Sequence, residues 1–175
     1  MTQAIGIDVG GVIIDKDRND DSDTSLFGKN YLNALAVPGA LEAVARLNAG
    51  IFKDRVWIVS KCGEHIERRT REWLHHSEFL LRTGIPEERL RFCRDRNQKA
   101  PIAEELGLTA FVDDKLEVLG YMYKKVPNRF LFRPALREMA KSWGSSANGV
   151  QVWMDWPSLA DWLDPAGRKD QQAHA

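Results

Sequence analysis

Ile5-Gly6-Ile7-Asp8-Val9-Gly10-Gly11-Val12-Ile13-Ile14 is the stretch on which the fold of this chain turns. The apolar run predicts a buried strand, with an acid at its carboxyl end and a glycine pair close behind. Open α/β sheets hold their ligands outside the carboxyl ends of the strands. A lone carboxylate at that edge is placed for chemistry, and the glycines let the backbone turn sharply and approach a ligand. Asp8 is the expected reactive centre.

Working outward, residues 15–37 begin polar and turn-rich and read as an excursion over the mouth of the site rather than as core. Asp20, Asp21 and Asp23 invite a calcium-loop reading, but the later glycine and glutamate of that motif are missing, so a solvated loop is expected. Pro38 opens a helix over 39–48, with Leu41, Val44 and Ala45 at helical spacing and Gly50 closing it. Residues 55–59 predict a second buried strand that delivers Ser60, Lys61 and Cys62 to the Asp8 edge. A helix over 63–76 follows, with Ile66, Trp73 and Leu74 on one face and Arg68, Arg69 and Arg71 on a solvated one. Residues 79–86 predict an apolar turn and a loop, then a helical turn near Glu87. Short strands are expected at 90–93, 110–112, 129–132 and 151–154. Helices are expected at 99–106, 116–123 and 157–163. The fourth strand ends in Asp113-Asp114. Trp143, Trp153, Trp156 and Trp162 read as core or edge packing.

Strands and helices alternating with short connections predict an α/β chain with a mostly parallel sheet covered on both faces. The length, 175 residues, suits one domain over 1–165 with a disordered polar tail over 166–175. Lysine plus arginine equals aspartate plus glutamate at 25 each, which gives no pull toward nucleic acid or an anionic membrane surface. Two cysteines, Cys62 and Cys93, do not make a disulfide scaffold and fit reduced thiols in a cytoplasmic protein. The N-terminal apolar run lacks a basic start, and no stretch reaches the roughly 20 apolar residues of a membrane span.

Asp8, Ser60, Lys99 and Asp113-Asp114 stand in this order, each at or just beyond a strand end. In this the chain resembles the haloacid dehalogenase-like hydrolases over residues 4–132. The resemblance implies a Rossmann-like three-layer sandwich with the Asp8 strand at its centre. It also implies a phosphohydrolase in which Asp8 attacks a phosphoryl group to form an aspartyl-phosphate. It implies Mg²⁺ held by Asp8, the Gly10 carbonyl and one or both of Asp113 and Asp114. Lys99, Ser60, the Lys61 amide and Gly11 are the implied phosphate-binding groups. A phosphorylated small molecule is the implied substrate, and a homo-oligomer is compatible with the pattern.

Two features depart from that family. Its first motif carries a second aspartate two residues after the nucleophile, which protonates the leaving group and later activates water, whereas here the position is Gly10. Asp15 and His65 are the nearby titratable candidates to replace it. The intervals between the motifs are too short for a large cap domain, so an open site is expected. Two other classes compete. One is a non-catalytic relative that binds phosphate and metal as a regulator, which the missing acid favours. The other is a sugar-kinase or actin type ATPase, whose phosphate loop resembles residues 5–11. That loop continues with threonine where this chain has Val12, and the fold needs two such domains. A P-loop enzyme is excluded, since no Gly-Lys-Ser/Thr follows a glycine loop.

Overall fold

The computed structural model describes residues 3–16, 26–139 and 147–167. Asp20, Asp21 and Asp23, Trp143, and residues 168–175 lie outside the described residues. Among the described residues six strands form one sheet: β1 (Ile5–Ile7), β2 (Val56–Lys61), β3 (Leu90–Cys93), β4 (Ala110–Asp113), β5 (Asn128–Phe132) and β6 (Val150–Trp153). Their spatial order is β3-β2-β1-β4-β5-β6, and every neighbouring pair is parallel. The chain winds outward from β1 to β3, returns to β4 on the other side of β1, and winds outward again. The strand order therefore reverses between β1 and β4, which is the crevice where open α/β sheets place their ligands.

Among the described residues the helices flanking the sheet are α1 (Ala40–Ala49), α2 (Glu64–His76), α3 (Phe79–Thr83), α4 (Lys99–Glu105), α5 (Leu116–Tyr121), α6 (Leu136–Met139) and α7 (Trp156–Leu163). Side chains alternate across each strand, so the two faces build two cores. Ile5, Ile7, Val56, Ile58, Val112, Phe130 and Phe132 pack with α1, α2, α3 and α7. Val59, Phe111 and Leu131 pack with α4 and α5 on the opposite side. These two cores and the sheet between them make the three layers. Gly6 is required by this packing, because a Cβ there would stand 2.6 Å from the Phe111 ring. Among the described residues no cap domain is inserted between β1 and β2 or between β2 and β4.

The structure corrects several expectations. Residues 79–83 form helix α3 rather than a turn, entered through Glu78 and left through Gly84, both left-handed. Phe79 is fully buried, and this burial outweighs the brevity of the segment. The second half of the 15–37 excursion contributes to the core through Leu26, Ala34 and Val37, and the Trp73 indole N–H donates to the Ala34 carbonyl (2.9 Å). Arg69 and Arg71 do not form a free solvated face: Arg69 donates to the carbonyls of Leu26 and Gly28, and Arg71 lies over the Phe92 ring beside Glu67. Residues 166 and 167, expected in the tail, lie in a helical turn whose Gly167 N–H donates to Asp164 Oδ1 (3.1 Å). The late tryptophans do pack: Trp156 is buried against Phe132, and Trp162 meets Phe130 and Trp153 at the sheet edge.

Candidate active site

Asp8 follows β1 directly, and its N–H donates to the Val112 carbonyl (3.0 Å), which carries the β1–β4 ladder one residue past the strand. That bond sets Asp8 beside Asp113, the last residue of β4. Behind Asp8 the chain makes a tight turn in which the N–H groups of Val12, Ile13 and Ile14 all donate to the Val9 carbonyl. Gly11 takes a left-handed φ of 82° within it, and its N–H donates to the Ile14 carbonyl (2.8 Å). The Trp156 indole fastens the turn by donating to the Val12 carbonyl (2.7 Å).

Lys99 enters from the opposite side as the first residue of α4. Gln98 fixes the approach, since its side-chain oxygen accepts from the N–H groups of Arg94 and Asp95 (2.8 and 3.0 Å). The Lys99 ammonium lies between two carboxylates, 2.8 Å from Asp8 Oδ1 and 2.7 Å from Asp113 Oδ2. Its side chain is 2% exposed and that of Asp113 is 0% exposed, so this is a desolvated ion triad. Burial disfavours the Lys99 charge, but Asp113 and Asp8 more than offset it and hold the ammonium above the ordinary lysine range. Burial, with Asp8 and Asp114 beside it, pushes the Asp113 carboxyl up to about 7 against the pull of Lys99. Removing one partner of such a buried group leaves the others uncompensated. Lys99→Met should lower unfolding stability by about 3–5 kcal/mol, read by urea melts in the absence of metal. A loss below about 1 kcal/mol would mean that water already reaches the pair.

Asp114 completes the group. One ligand oxygen from each of Asp8, Asp113 and Asp114 can be chosen so that all lie within 4.8 Å of one another, and all three residues are buried. Hard carboxylate oxygens converging at this spacing suit a small divalent cation such as Mg²⁺. The Asp113 Oδ1 atom is oriented by the Lys115 N–H (2.9 Å).

Three of the four expected positions, Asp8, Lys99 and Asp113-Asp114, thus meet in this crevice, while Ser60 is buried near the carboxyl end of β2, the strand beside β1, with Lys61 exposed next to it. The thiol of Cys93 donates to the Ser60 carbonyl (3.7 Å), and the Cys62 N–H donates to the Cys93 carbonyl (3.0 Å). Burial raises both thiols, Cys62 to about 11, so neither is a ready nucleophile. Of the candidates to replace the acid missing at Gly10, Asp15 is paired with Arg133 (3.0 Å) and His65 lies against Arg68 (3.1 Å). Arg94 donates to the Cys62 carbonyl and pairs with Glu67. A separate open groove of about 680 Å³ runs along α2, lined among others by Tyr31, Glu64, Arg68 and His75. None of the clustered acids or Lys99 lines it.

One residue of the site was not anticipated. Lys16 reaches across the glycine turn, and its ammonium is 2.8 Å from Asp114 Oδ2. A Cβ on Gly10 would be 3.2 Å from Lys16 Cε. Lys16 arrives there because Ile14 bridges to Ala36 and the Asp15 N–H donates to Leu35, a tertiary pairing with no local sequence signal.

No family model matches the chain, and no curated protein matches it in sequence. Solved structures match it in fold. D,D-heptose 1,7-bisphosphate phosphatase from B. bronchiseptica, complexed with magnesium and phosphate, matches with a TM-score of 0.64 at 17% identity, covering 92% of this chain and 97% of that one. The corresponding enzyme from Burkholderia thailandensis gives 0.58 at 20% identity, covering 92% and 98%. The cobalt-bound deoxy-D-mannose-octulosonate 8-phosphate phosphatase from Haemophilus influenzae gives 0.51 at 14% identity, covering 95% and 90%. These neighbours are haloacid dehalogenase-like phosphatases, and this chain shares their Rossmann-like fold. No helix among the described residues is long and apolar enough to cross a membrane.

Proposed function

We propose that the chain is a magnesium-dependent phosphomonoester hydrolase that works through an aspartyl-phosphate on Asp8. The observation that carries this is the meeting of Asp8, Lys99, Asp113 and Asp114 at the point where the strand order reverses. A carboxylate oxygen of Asp8 attacks phosphorus while the ester P–O bond breaks, and the departing alkoxide takes up a proton. Water then attacks the same phosphorus, releasing inorganic phosphate and restoring Asp8. Lys99 holds Asp8 in place, and it offsets the charge of the incoming dianion. Ser60 and the Lys61 amide stand at the neighbouring strand end to donate to phosphoryl oxygens. Asp8, Asp113 and Asp114, with the Gly10 carbonyl, would hold Mg²⁺, which supplies charge neutralisation for the transferring group. A small phosphorylated metabolite is the proposed substrate class, and a homo-oligomer is the proposed way to cover a site that lacks a cap.

Magnesium should stabilise the fold by linkage, about 2–3 kcal/mol at a hundredfold excess over Kd. Asp113→Asn combined with Asp114→Asn should abolish the effect in a thermal melt. The gain should depend on pH. A carboxyl raised from 3.8 to about 7 binds more protons in the folded than in the unfolded state. It therefore costs the metal-free protein stability as pH rises through that window. A cation takes the place of that proton, so the magnesium gain in Tm should be larger near about pH 8 than near about pH 5. An equal gain at both would remove Asp113 from the ligand set.

A second reading, a non-catalytic protein that binds phosphate and metal, is favoured by Gly10 together with the pairing of Asp114 by Lys16. It predicts magnesium binding with no phosphoenzyme at all.

A further inference from the structure

The three acids of the site face three lysines. Lys99 joins Asp8 and Asp113, while Asp114 Oδ2 receives both Lys16 at 2.8 Å and Lys115 at 3.3 Å. The cluster is thus charge-compensated from within the chain, and a divalent cation that takes Asp114 Oδ2 competes with an ammonium already on that oxygen. The three lysines are not equally removable. Lys99 is buried to 2% exposure between two partners, and Lys115 is 18% exposed and held near by its own N–H bond to Asp113. Lys16 is 51% exposed, so its ammonium can return to water by rotating a flexible four-carbon stem.

We propose that Lys16 is a displaceable internal counter-ion, which occupies Asp114 in the metal-free protein and is driven off it when the divalent cation enters. This rests on the assignment of Asp114 to the metal. Lys16 lies beside both glycines of the turn, since Cβ atoms placed on Gly10 and Gly11 would be 3.2 and 3.3 Å from its Cε and Cδ. Those glycines leave the room that the stem occupies, and the same room lets it swing clear. The consequence is a site whose metal affinity is held down by competition from its own chain.

The test is calorimetric titration of Mg²⁺ into the whole protein and into Lys16→Met, each at about 0.05 M and about 0.5 M KCl. Field effects from an exposed charge fade over a Debye length that shrinks to a few ångströms in high salt, whereas competition for one oxygen persists. Lys16→Met should bind Mg²⁺ about 3–10-fold tighter at both salt concentrations. Lys16 is exposed, and circular dichroism checks that the variant folds. Equal affinities, or a gain that disappears in about 0.5 M KCl, would overturn displacement while leaving the metal site standing. Absence of any Mg²⁺ heat in both proteins would overturn the metal assignment itself, and this inference with it.

Discussion

Asp8→Asn should depress hydrolysis of a reactive phosphate ester on the order of 10⁴-fold or more, the scale met when a covalent nucleophile is removed. In barrier terms that is about 5 kcal/mol. The amide keeps the shape of the side chain at the end of β1 but lacks the charge that attacks phosphorus. Lys99 should remain seated on Asp113 at 2.7 Å, so the loss would not reflect collapse of the site. Two readouts decide the case. Short incubation of the wild type with ester should leave a hydroxylamine-labile, acid-stable adduct on Asp8, found by mass spectrometry, and Asp8→Asn should leave none. If Asp8→Asn hydrolyses the ester as fast as the wild type, the nucleophile lies elsewhere.

Gly10→Asp has the second large effect, and in the opposite direction. Acid–base assistance of this kind is typically worth about 10²–10⁴ in rate. The position admits a side chain: Gly10 is not among the glycines of positive φ, unlike Gly11 at 82°. The nearest obstacle to a new Cβ is Lys16 Cε at 3.2 Å, the far end of a flexible stem that can yield a few tenths of an ångström. The new carboxylate would stand beside the attacked group and protonate the leaving oxygen. An alkoxide leaves poorly without that proton, whereas nitrophenolate leaves readily, so turnover of an alkyl phosphate should rise far more than the first step with nitrophenyl phosphate. Phosphoenzyme breakdown should also quicken, as a smaller burst. Lys16 introduces a complication visible only in three dimensions. Its ammonium lies 3.7 Å from the new Cβ and will attract the carboxylate, so the full gain should appear in the combination with Lys16→Met. An unchanged ratio of the two ester rates in both variants, with magnesium still bound, would mean that Gly10 is not a vacant acid position.

The residues that carry local signals were legible. Short apolar runs marked the strands, and Asp8, Lys99 and Asp113-Asp114 were found because each falls at a strand end or helix start. Their convergence, read from order alone, was legible because a parallel sheet brings all such ends to one edge. Lys16 was illegible, since nothing near it in sequence marks it and only the bridge from Ile14 to Ala36 aims it at Asp114. Arg69 and Arg71 misled for a related reason. Their helical positions look solvated until the Leu26–Gly28 segment and the Phe92 ring arrive to meet them. Helix α3 was missed because its five residues are too few to show a period, and burial of Phe79 decides the matter instead.

The order of the sheet also governs when the protein can come into being on the ribosome. β1 is made first, yet its partners are far downstream, with Ile5 paired to Val56 on one side and to Ala110 on the other. A nascent chain can dock β2 against it early, but one edge of β1 stays unpaired until β4 has been synthesised and released from the exit tunnel. Through that interval the apolar strand offers open backbone groups and hydrophobic surface, the condition under which growing chains recruit chaperones or pair wrongly with one another. The ordering is built into the topology, because the closing contact spans most of the chain and is of the slow, non-local kind.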